Sequence, residues 1–71
     1  MKAIVHLKVD EKNNSALLDK VIELGYVAMH VWTSPTYQIY QVDMTEDDLM
    51  ILRLSVPFLK VNGFREKDDY L

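Results

Sequence analysis

The stretch from Thr36 to Phe64 constrains the fold more than any other part of the chain. Tyr37, Gln38, Ile39, Tyr40, Gln41, Val42 and Asp43 alternate in character, the period of a strand with one face turned inward. Thr45 followed three residues later by Asp48 is the acidic variant of a capping box, and Met44 and Leu49 hold the two positions of a hydrophobic staple. Glu46, Asp47 and Asp48 place negative charge in the first turn, where the helix dipole favours it. Pro57 drives the residue before it out of helical geometry. A helix is therefore predicted over Glu46–Ser55, followed by a strand over Phe58–Phe64 that Gly63 weakens near its end.

Upstream, Ala3, Val5, Leu7 and Val9 alternate with Lys2, Ile4, His6 and Lys8, a first strand. Asp10–Asn14 is a polar loop in which Asn14 or Ser15 is suited to cap a helix. That helix gathers Leu17, Leu18, Val21, Ile22 and Leu24 on one face, with Asp19, Lys20 and Glu23 opposite, and Gly25 ends it. Tyr26–Thr33 reads as a second strand, with Val27, Met29 and Val31 to the inside and Ala28, His30 and Trp32 to the outside. Ser34-Pro35 is a turn signal, so a hairpin leads into Thr36–Asp43. The order strand, helix, strand, strand, helix, strand predicts an α+β domain of ferredoxin-like βαββαβ pattern. Its four-stranded antiparallel sheet carries both helices on one face and leaves the other uncovered. Residues 1–64 form this single domain, and 65–71 are a charged C-terminal tail.

With 49% hydrophobic and 27% charged residues among 71, the chain is too apolar for the disordered class and too evenly charged for a membrane span. A domain this small buries only about 60% of its unfolded surface, so oligomerisation, a homodimer above all, is one route to a larger core. The chain has no cysteine, which removes disulfides and thiolate chemistry. Its N-terminus, broken by His6 and Lys8, is too short and charged for a signal peptide, and a cytoplasmic protein is expected. A net charge of −3 with scattered basic residues argues against nucleic acid as a partner.

Candidate chemistry is sparse. His6 and His30 are the two histidines, and no third ligand stands at a recognisable spacing from either. Ser15, Ser34 and Ser55 occupy a cap, a turn and a helix end rather than a nucleophile elbow. Glu46, Asp47 and Asp48 are explained by a helix start, and two glycines are too few for a phosphate-cradling loop. No enzymatic activity, cofactor or metal is expected.

Two surfaces exceed what folding needs. If Ala3, Val5, Leu7, Val27, Met29, Val31, Tyr40, Val42 and Met44 face the helices, then Ile4, His6, His30, Trp32, Tyr37 and Ile39 face away. Contiguous apolar and aromatic surface of this kind marks an interface. On the second helix, Leu49, Leu52 and Val56 form the core stripe, while Met50 and Leu54 lie roughly 100–140° round and Ile51 near 200°. Either the helix is deeply set or Met50 and Leu54 meet another chain. A non-enzymatic module that binds and modulates a protein partner is the leading expectation. A small-molecule-sensing domain would want a Gly-containing loop after strand one, and Asp10–Asn14 has none. An RNA-binding sheet would need stacking aromatics on its central strands, where strand one offers His6.

The pattern Leu17-x3-Val21-x2-Leu24-Gly25, then Tyr40-x-Val42-x-Met44-Thr45-Glu46-Asp47-Asp48-Leu49-x2-Leu52-Arg53, Pro57 and Val61 resembles the subtilisin propeptide-like protease inhibitors. The resemblance implies a ferredoxin-like module that packs its open sheet face on a serine protease and lays Phe64–Leu71 into the active site. Leu71 would then stand nearest the cleavage pocket, with Tyr70 beside it. The polar Lys67-Asp68-Asp69 approach, and Met50 and Leu54 where the family's pattern places charge, depart from that likeness.

Overall fold

Ala3, Val5, Leu7 and Val9 are all buried in β1 (Lys2–Asp10), while the residues between them are half-buried. The computed structural model describes residues 2–66, with side chains through Gly63. β1 pairs antiparallel with β3 (Tyr37–Thr45) without interruption, from Lys2 opposite Thr45 to Asp10 opposite Tyr37. β4 (Lys60–Glu66) lies on the other side of β1, and β2 (Met29–Thr33) lies outside β3, giving the order β2-β3-β1-β4. All the pairings are antiparallel. With α1 (Asn14–Glu23) after β1 and α2 (Glu46–Ser55) after β3, this is the ferredoxin-like βαββαβ arrangement, as the element order predicts.

Leu17 and Val21 of α1, Leu49 and Leu52 of α2, and Val56 join the inward residues of β1 and β3 in one core cluster. Both helices thus cover the same sheet face. The ends of α2 are those predicted: the Thr45 hydroxyl accepts from Asp48 N–H at 3.2 Å. The return half of the capping box runs through a third residue. Thr45 N–H donates to the Tyr26 hydroxyl at 3.5 Å, and that hydroxyl donates to the Asp48 carboxylate.

α1 ends in a Schellman motif: Gly25 N–H bonds to Ile22 O at 2.9 Å and Tyr26 N–H to Val21 O at 3.0 Å, with Gly25 at φ 91°. Its start differs from expectation. Asp10 caps a single 3₁₀ turn over Glu11–Asn13 by accepting from Asn13 N–H at 3.0 Å, and the Asn14 side chain instead accepts from the Tyr40 hydroxyl. Ile22, expected in the core stripe, is 69% exposed. It lies roughly 140° from Leu17, beyond the arc that the sheet covers.

The second strand also departs from expectation. It begins at Met29 rather than Tyr26, because Tyr26 N–H is already committed to the Schellman motif. Tyr26 and Ala28 pack on the core, whereas Val27, Met29 and Val31, predicted to face inward, are exposed. His30, predicted to face away from the helices, stands opposite buried Tyr40. A one-residue change of phase moves every side chain of a strand to the other face. The register shift between His30 and Trp32 then restores Trp32, opposite Ile39, to the uncovered face. β4 starts two residues later than predicted, after a turn at Pro57-Phe58, and runs on so that Arg65 and Glu66 pair with Ile4 and Ala3. Residues 67–71 of the predicted tail lie outside the described residues.

Candidate functional site

Residues opposite one another in an antiparallel pair share a face, so the registers assemble the uncovered surface row by row. One row crosses the sheet as Trp32, Ile39, Lys8 and Lys60, and the next as Met29, Gln41, His6 and Gly63. Tyr37 opposite Asp10 closes one end, and Ile4 opposite Asp43 lies toward the other. Trp32 is 57% exposed, and Met29 beside it in β2 is exposed as well. The Lys8 ammonium sits 4.2 Å from the centroid of the Tyr37 ring, so a cation and an aromatic flank the Trp32–Ile39 pair. His6 Nε2 lies 3.2 Å from Gln41 Oε1.

Of the predicted sheet residues, Trp32, Tyr37, Ile39 and His6 therefore come together. His30 does not join them. Its ring lies 5.3 Å from that of Tyr40, and its Nε2 is 2.7 Å from both Thr33 Oγ1 and Gln38 Oε1. Gln38 in turn donates to Glu11 at 2.7 Å. The two histidines stand on opposite faces of the sheet. Among the described residues no group of three or more His, Cys, Asp or Glu is placed to hold a metal ion. No helix among them is long and apolar enough to cross a membrane.

Met50, Ile51 and Leu54 form a separate surface on the helix side of the molecule. Met50 is 65% and Leu54 84% exposed, and Ile51 is exposed too, so α2 is not the deeply set helix that was the other way to account for them. Between α2 and β4 lies a groove of about 710 Å³, lined by Glu46, Asp47, Leu49, Met50, Arg53 and Leu54 with Val61. The tail residues Tyr70 and Leu71 lie outside the described residues.

Met29 and Phe58 are among the exposed apolar side chains that were not legible as site candidates. Met29 was hidden by the phase of β2. Phe58 is 83% exposed in a left-handed conformation at φ 61°. Pro57 before it is the usual first central residue of a turn whose second position wants Gly or Asn. That proline is the sequence signal for the turn, and nothing marks the phenylalanine.

The arrangement on the open face suits macromolecular contact. A half-exposed Trp with an aliphatic neighbour supplies apolar area that water covers poorly, and aromatic side chains of this type dominate interface energies. No family model, curated protein or solved structure matches the chain.

Proposed function

We propose that this chain is a non-enzymatic binding module that modulates or inhibits a protein partner through the uncovered face of its sheet. The observation that carries the reading is Trp32, 57% exposed on an edge strand and returned to that face by the register shift in β2. Ile39 and Met29 extend the apolar area, and Lys8 and Lys60 give its rim positive charge. The partner would present an apolar patch with acidic groups on the side that meets Lys8 and Lys60. Truncating an aromatic anchor in such a setting costs about 2 kcal/mol or more of binding, whereas a half-exposed side chain contributes little to the fold.

The test is affinity capture from the native host lysate with the wild-type chain and with a Trp32→Ala/Tyr37→Ala variant. The wild type should retain a protein that the variant loses, with both chains giving the same far-UV spectrum. If both retain the same proteins in equal amounts, the sheet face is not the binding surface.

A second reading follows the likeness to subtilisin propeptide-like inhibitors, and the uncovered sheet face favours it because that is the face those inhibitors use. The partner is then a serine protease, and the tail that the likeness implies, Phe64–Leu71, acts at its active site, with Phe64–Glu66 of it paired in β4. A chain ending at Glu66 should lose inhibition of subtilisin-type proteases that the full chain inhibits. Equal inhibition by both would remove the tail from the mechanism.

A further inference from the structure

The exposed face of α2 has an order of charges that a second copy of the same face would complement. Stepping along it, Glu46 and Asp47 come first, Met50 stands at the centre, and Arg53 and Leu54 follow. Asp47 and Arg53 are each three residues from Met50, about 4.5 Å along the axis in either direction. Among the described residues no side-chain hydrogen bond or ion pair engages Asp47 or Arg53. A surface that is acidic at one end, apolar in the middle and basic at the other meets the condition for an isologous contact, in which one patch pairs with itself across a two-fold axis.

We infer that two copies of this chain associate through α2, the helices packed antiparallel about a two-fold axis at Met50. Each Asp47 then faces the partner's Arg53, two equivalent ion pairs flanking a Met50–Met50 centre with Leu54 just outside them, and the antiparallel setting also opposes the two helix dipoles. The groove between α2 and β4 gives each protruding Leu54 a place on the other copy. The contact is independent of the proposed partner surface, since α2 and the uncovered face lie on opposite sides of the sheet. One helix face of ten residues is smaller than the ~800 Å² per partner of a standard interface, so a weak, concentration-dependent association is expected.

Sedimentation equilibrium of the full chain between about 1 µM and 1 mM tests it. The mass should climb from 8.3 kDa toward twice that value with concentration. Asp47→Lys and Arg53→Glu should each hold it at the monomer value, because each places like charges in both pairs. Mixed in equal amounts, the two variants should associate again, since each supplies the charge the other lacks. Met50→Glu, which sets two carboxylates on the axis without touching the helix start, should also be monomeric, and Trp32→Ala should associate as the wild type does. A constant 8.3 kDa for the wild type overturns the inference, as does a mixture no heavier than its components, a dimeric Met50→Glu chain or a monomeric Trp32→Ala chain.

Discussion

The Tyr40 hydroxyl donates to Asn14 Oδ1 at 2.7 Å, tying the middle of β3 to the first residue of α1. Tyr40 is buried within the core cluster, so removing the hydroxyl leaves the Asn14 carbonyl in partly buried surroundings without its donor. Tyr40→Phe should lower stability by about 1 kcal/mol, read as a reduced urea midpoint with an unchanged slope. Asn14→Ala should cost a similar amount. The double variant should fall short of the sum, because both changes delete the same bond.

Helix α2 begins on a triad rather than a pair. Thr45 caps Asp48, and the Tyr26 hydroxyl sits between the Thr45 backbone and the Asp48 carboxylate. Thr45→Ala should cost about 1 kcal/mol, the usual loss of an N-cap. Tyr26→Phe should cost a comparable amount, although by sequence Tyr26 belongs to the end of α1 and not to the start of α2. Thermal unfolding of the two single variants and the double variant measures the coupling. Strict additivity would show that Tyr26 does not take part in the cap.

What the sequence disclosed follows from where burial enforces a pattern. β1 and β3 are paired along their whole length and buried on one side, so Ala3, Val5, Leu7, Val9, Tyr40, Val42 and Met44 had to alternate, and they do. The bounds of α2 were written in Thr45, Asp48 and Pro57. β2 was not legible in the same way because it is exposed along its length, and the apolar residues Val27, Met29 and Val31 answer to no core. Its phase comes from hydrogen bonds of Gly25 and Tyr26 at the end of α1 and from the pairing of His30 with Tyr40. Trp32 reaches the predicted face only through a bulge, a feature without a sequence signature of its own. On α2 the surplus of Met50, Ile51 and Leu54 over the Leu49–Leu52–Val56 stripe was visible from the helical period alone.

Phe58 adopts a left-handed conformation at φ 61° with 83% of its surface exposed, so its side chain gains little from packing where its backbone is strained. The conformation costs a non-glycine residue about 1–2 kcal/mol, and glycine there would return about 0.5–1 kcal/mol of that in extra unfolded-state entropy. Phe58→Gly should therefore stabilise the fold by about 0.5–1 kcal/mol, seen as a rise in Tm of a few degrees. A loss of stability would mean that the ring makes a contribution that its exposure conceals. If the Phe58→Gly chain is the more stable, the phenylalanine calls for a role outside folding.

Gly63 stands opposite His6 in the β1–β4 ladder, and a Cβ placed on it would lie 3.2 Å from His6 Nδ1. His6 is not free to yield, because its other ring nitrogen lies 3.2 Å from Gln41 Oε1. Gly63→Ala gains about 0.5–1 kcal/mol by restricting the unfolded chain, but the imidazole must give by a few tenths of an ångström against its contact with Gln41, which offsets a similar amount. In the wild-type background the two effects should nearly cancel. In a His6→Ala background, where the neighbour is gone, the same substitution should stabilise the fold by about 0.5–1 kcal/mol. Urea unfolding of the four chains separates these effects, and an equal response to Gly63→Ala in both backgrounds would show that the close approach to His6 imposes no constraint.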